Sequence, residues 1–77
     1  MRIQTSKELG QCIQMLRKKL KVTQKDLALT AGTGYRFISE LENGKPTCEL
    51  EKVLRVLHTL GLKVDLAFPP GIEGFNE

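Results

Sequence analysis

A mainly α fold is predicted: four short helices in one bundle, followed by a single strand near the C-terminus. Three observations predict it. Apolar residues recur at three- and four-residue spacing in four separate stretches. Each stretch is bracketed by residues that start or stop helices. From Leu62 onward the spacing changes to alternation, which is the period of a strand.

The first helix starts at Thr5 or Ser6. Thr5-Ser6-Lys7-Glu8 has capping-box spacing, so hydroxyl and carboxylate can satisfy free N–H groups at the helix start. Leu9, Cys12, Ile13, Leu16 and Leu20 form its apolar stripe. Gly10 interrupts this helix at a cost of roughly 1 kcal/mol against Ala, which points to close packing there. Arg17, Lys18, Lys19 and Lys21 complement its negative end. Ile3, in the short segment before it, is available to pack.

Thr23 caps a second helix running through Thr30, with Asp26 at the capping-box position and Leu27, Ala28 and Ala31 facing inward. Gly32 ends it, where positive φ is cheap. Thr33 and Gly34 open a third helix that runs to about Glu42 and closes on Asn43-Gly44. Pro46 stops continuation and Thr47 caps the fourth helix. Leu50, Val53, Leu54, Leu57 and Leu60 form its buried stripe, and Gly61 ends it.

Leu62, Val64, Leu66 and Phe68 then alternate with Lys63, Asp65 and Ala67. One strand in a helical chain has no partner for its N–H and C=O groups. Pairing with a second copy across a two-fold axis supplies one; an extended tail packed on its own domain is the alternative. Pro69-Pro70-Gly71 breaks the pattern, and residues 69–77 read as a flexible tail in which Ile72 and Phe75 could anchor to a partner. Residues 5–68 form the single domain expected of a 77-residue chain.

Charge is unevenly distributed. Residues 1–45 carry nine basic and four acidic side chains, a balance of +5. Residues 46–77 carry three basic and five acidic ones, a balance of −2. A basic front and a mildly acidic back suit a polyanion on one side and a protein partner on the other. Cys12 and Cys48 form no metal-ligand spacing with the lone His58. Cys12 reads as a buried small hydrophobe; Cys48 sits at a helix start, where a thiolate is favoured, but reads as a plain solvent-edge cysteine rather than a redox sensor. Reduced cysteines, with no signal peptide and no bilayer-spanning apolar run, predict a cytoplasmic protein. Without a nucleophile–base pair, metal cluster or phosphate-binding glycine loop, neither an enzyme nor a cofactor is expected.

The stretch Thr23 to Lys45 carries the function. Two short helices hinged at Gly32 form a helix-turn-helix, which lays its second helix in the DNA major groove. Tyr35, Arg36, Ser39 and Glu40 face outward on that helix, while Ile38 and Leu41 face inward. Arg36 is suited to a guanine edge, Tyr35 to a thymine methyl or a phosphate, and Glu40 to a cytosine amine or simply to repelling wrong sequences. Gln24, and the N–H groups around Thr23, Gln24, Asn43, Gly44 and Lys45, are placed for phosphates.

Thr23-Gln24, Leu27-Ala28, Gly32, Ile38-Ser39 and Leu41-Glu42-Asn43-Gly44-Lys45 together resemble the Xre/Cro/phage-repressor helix-turn-helix family. The run Tyr35 to Glu42, followed by Gly44-Lys45-Pro46-Thr47 and Leu60-Gly61-Leu62 with a strand, is similar to its HipB-like antitoxin branch over Thr5 to Phe68. The resemblance implies a lambda-repressor-like bundle in a bacterial, nucleoid-associated protein. It implies base reading by the residues at Tyr35, Arg36 and Glu40, phosphate contacts at Gln24, Asn43 and Lys45, and an internal ion pair between Arg17 and Glu42. It also implies a homodimer with a strand lid, a palindromic double-stranded operator, repression, and a HipA-like kinase toxin as partner. Two positions depart from the family. Gly34 stands where a polar cap is common, so it caps less well but lets a phosphate approach the backbone. Phe37 replaces a small or polar residue and is expected at the rim of the core. A stand-alone phage-type regulator, or a protein-interaction module with weak DNA binding, are the competing readings.

Overall fold

The computed structural model describes residues 1–72; Phe75, offered above as an anchor, lies outside them. Four helices follow one another: α1 (Ser6–Lys19), α2 (Gln24–Ala31), α3 (Tyr35–Glu42) and α4 (Leu50–Thr59). α3 packs against both α1 and α2, and α4 packs against α2. The core lies between them. Ile13, Leu27, Ile38 and Val56, one from each helix, are its most completely buried large side chains. Burying each such side chain stabilises the fold by roughly 1.5–3 kcal/mol.

The capping box at α1 forms as its spacing predicts. Thr5 Oγ1 accepts from the Glu8 N–H at 3.0 Å, and Glu8 Oε1 accepts from the Thr5 N–H at 3.1 Å. At α2 the Thr23 hydroxyl accepts from the Asp26 N–H at 3.0 Å, and only this half of the box forms. The C-termini share one device. The N–H just after the left-handed residue reaches back across the last turn, from Val22 to the Arg17 carbonyl, Thr33 to Ala28, Lys45 to Glu40 and Leu62 to Leu57. Such a turn needs a left-handed residue, and three of the four are glycines. The fourth is Lys21, with φ 59°.

Several expectations need correction. Thr47 does not cap α4; Glu49 occupies that place, without a side-chain cap bond. The loop after Pro46 runs two residues longer than the cap pattern implies. Leu50 consequently begins α4 rather than lying inside it, and is 68% exposed. Val56, outside the expected stripe, is fully buried instead. Leu20, at the C-cap of α1, is half exposed, and Ile3 is also exposed. Asn43 keeps negative φ, leaving the left-handed turn to Gly44 alone. Phe37 does lie at the rim of the core, with the Lys52 ammonium 5.7 Å from its ring centre. Among the described residues no strand forms: Leu62 rests against the core, while Val64, Leu66 and Phe68 are half or more exposed.

Candidate nucleic-acid interface

Gly10 explains how closely α3 is held. A Cβ on Gly10 would collide with the Leu41 carbonyl oxygen and come within 2.7 Å of that of Glu42. The backbone of α1 therefore abuts the last turn of α3. Ser6 Oγ adds a hydrogen bond to the Gly44 carbonyl at 3.1 Å, and Gly44 packs directly on Lys7.

Behind α3 lies a buried ion pair. Arg17 Nε and Nη2 donate to the two carboxylate oxygens of Glu42 at 2.5 and 2.9 Å, the bidentate geometry that makes such pairs strong. Arg17 Nη1 donates to the Val22 carbonyl at 2.9 Å, and Gln24 Nε2 donates to Glu42 Oε1 at 2.9 Å. The end of α1, the start of α2 and the end of α3 are thus tied at one carboxylate. Burial pushes the Glu42 carboxyl up, but the hydrogen bonds from Arg17 and Gln24 outweigh it and hold the group below the usual carboxylate range. The Arg17 guanidinium is raised by its bond to Glu42.

The outward face of α3 is accessible. Tyr35 is half exposed and the Arg36 side chain is 89% exposed. Ser39 and Glu40 are partly covered one turn on. Glu40 carries two ion pairs, with Arg36 Nε at 3.3 Å and Lys45 Nζ at 3.2 Å. Gly34, the N-cap of α3, has no side-chain cap bond, and nothing lies within 4 Å of where its Cβ would be. Thr23, Asn43 and Lys45 are exposed. Gln24 is placed differently from a purely outward phosphate ligand, because its amide nitrogen is engaged by Glu42.

Beside Tyr35 an open concavity of about 510 Å³ surrounds the start of α2, lined by Arg17, Lys18, Lys21, Val22, Thr23, Gln24, Lys25 and Tyr35. In the sequence, Lys18 and Lys21 serve only the negative end of α1, and Lys25 has no role. The tight turn from α1 into α2 brings all three lysines to the positive end of α2. The signal was the short distance between the basic run and the next cap. Cys48 lies in the loop before α4 rather than at its start; burial raises its thiol, in keeping with a plain cysteine, and Sγ lies 3.4 Å from the Lys45 carbonyl. His58 is exposed on α4. Among the described residues no cluster of metal-ligating side chains occurs, and no helix is long and apolar enough to cross a membrane.

A short, accessible helix anchored at its last turn by its neighbours, beside a basic concavity at the preceding helix start, is the arrangement of a helix-turn-helix regulator. The helix-turn-helix domain family model matches residues 10–65, and the chain belongs to that family of transcriptional regulators. It is 46% identical over 68 residues to y4mF, an uncharacterized HTH-type transcriptional regulator of Sinorhizobium fredii (strain NBRC 101917 / NGR234), covering 88% of this chain and 90% of the relative. Among solved structures it resembles HipB in a complex with an O4 20mer, with TM-score 0.81, 25% identity, and 88% and 96% of the two chains covered. The HipA-HipB-O2-O3 complex contains a chain similar at TM-score 0.82, again at 25% identity and with 88% and 96% covered.

Proposed function

We propose that the protein is a sequence-specific repressor whose two copies bind a palindromic operator in double-stranded DNA. The observation that carries this reading is the juxtaposition of the exposed α3 face with the lysine-lined concavity at the start of α2. Tyr35, Arg36, Ser39 and Glu40 form the face laid toward base edges. Thr23, Gln24, Gly34, Asn43 and Lys45, joined by Lys18, Lys21 and Lys25, face the phosphates on either side. Residues 5–68 act as the binding and dimerisation unit, with 69–77 as a tail. Leu62, Val64, Leu66 and Phe68 pair with a second copy, setting two recognition helices about 34 Å apart, one DNA turn.

The likeness to HipB, solved both with a 20mer and with HipA, supports a second role as the antitoxin of an operon whose kinase-like toxin it also binds. Co-purification with a kinase-like protein encoded beside this gene tests that part separately.

The central test is Arg36→Ala, measured on a duplex enriched by the wild-type protein from a random pool. A loss of about 1–3 kcal/mol, with relaxed preference at one base pair, is expected. Unchanged affinity and preference would refute base reading by α3.

A further inference from the structure

We infer that Glu40 is a positioning and specificity-determining residue: its carboxylate ties Arg36 to Lys45 so that Arg36 offers its terminal nitrogen pair, and not its Nε edge, to a guanine. The inference rests on the DNA-binding reading above and assigns Glu40's share of it.

The geometry begins with Arg36. Its guanidinium can meet guanine O6 and N7 through the two terminal nitrogens, or sideways through Nε and one terminal nitrogen. Here Nε points to Glu40 Oε2 at 3.3 Å, while the side chain as a whole is 89% exposed. The terminal pair is left for the groove. The other carboxylate oxygen, Oε1, faces Lys45 Nζ at 3.2 Å.

Lys45 is not a freely wandering partner. Its N–H donates to the Glu40 carbonyl at 3.0 Å, closing the end of α3. The preceding residue, Gly44, is held by Ser6 and packed on Lys7. The lysine backbone is therefore fixed relative to Glu40 by the fold itself. The hydrogen bond from Lys45, followed by that from Arg36, keeps the Glu40 carboxyl below the usual carboxylate range.

Exposed ion pairs stabilise a fold little. The consequence here lies in recognition. On a cognate site Arg36 finds its guanine and Lys45 its phosphate, and both cations compensate the carboxylate. On other sequences Arg36, still held by Glu40, presents a terminal donor pair that meets no acceptor pair, and those donors are desolvated without partners. Discrimination then comes from a penalty on wrong sites as much as from attraction to the right one.

A double-mutant cycle tests this. The probes are a duplex enriched by the wild type from a random pool and the unselected pool itself. Glu40→Ala is expected to tighten binding to the pool and to cut the preference for the selected duplex about tenfold, with Glu40→Gln intermediate. In the Arg36→Ala background, Glu40→Ala should change that preference less than about twofold, because its effect runs through Arg36. Losses that add in full would make Glu40 an independent base reader and overturn the inference, as would an unchanged preference in Glu40→Ala alone. A wild type that enriches no sequence would instead overturn the DNA-binding reading and this inference with it.

Discussion

Gly10 is the point where the first helix meets the end of the recognition helix, and it shows how one missing methyl group can place a functional element. Ala would gain roughly 1 kcal/mol of helix propensity. Its Cβ would meet two backbone carbonyl oxygens, which cannot swing away as a side chain can. Gly10→Ala should therefore destabilise the domain by about 1–3 kcal/mol, the usual range for overpacking. A raised urea midpoint would contradict the packing argument. The Arg17–Glu42 pair makes a second residue-level prediction. Glu42 has a lowered folded-state carboxyl, so its contribution to stability is complete above the ordinary carboxylate range and is lost as pH falls through the lowered value. Arg17→Met leaves that buried carboxylate without its main partner, at a cost of about 3–5 kcal/mol near neutral pH. Burial, the largest cause, then raises the carboxyl against the remaining bond from Gln24, so Glu42's own contribution should be greatest in acid and fall as pH rises. Urea midpoints across the acid range distinguish the two profiles; a variant that loses stability on acidification as the wild type does would show that Glu42 is not the group at work.

At the scale of elements, the four C-termini repeat one hydrogen-bonded turn with one exception in residue type. Lys21 holds a left-handed conformation that costs an L-residue about 1–2 kcal/mol. It also lines the basic concavity, which gives a reason for lysine where glycine would be easier. Lys21→Gly should raise stability by up to about 1 kcal/mol, a thermal midpoint gain of roughly 4–8 °C. The same change should weaken binding to random duplex and reduce the salt dependence by about one phosphate contact. If stability and non-specific affinity move in the same direction, Lys21 has no part in the phosphate surface. The helix starts were readable because Thr5 and Thr23 act within three residues of themselves. Thr47 failed as a cap because the Pro46 loop carries the chain two residues further before α4 begins.

At the scale of the whole molecule, the basic front resolves into a lysine-lined, helix-bearing face, and the C-terminal segment leaves the core after Leu62. Val64 and Leu66 are 52% and 81% exposed, and a second copy pairing along this segment would cover them. Because Leu62 contributes to the core, replacing Val64 and Leu66 together by Asp is a cleaner test of pairing than deleting residues 62–68. The variant should sediment as a monomer, keep its helical content, and lose most of its affinity for a palindromic duplex while retaining that for a half-site. A dimer that persists would mean the copies meet elsewhere.

The order and number of helices, the turn at Gly32 and the outward face of α3 were determined by the sequence alone, because helical period and end signals act over a few residues. Residue resemblance, not spacing, pointed to Arg17 with Glu42. Only the tertiary structure decided that Gly10 abuts two carbonyl oxygens of α3, that Gln24 completes the buried ion pair, that three lysines surround the start of α2, and that Glu40 is shared by two cations. It also decided that Val56 rather than Leu50 lies in the core. The physical reason is the same throughout. Burial at helix ends and pairing between elements depend on where residues far apart in the chain meet, and no local periodicity encodes that.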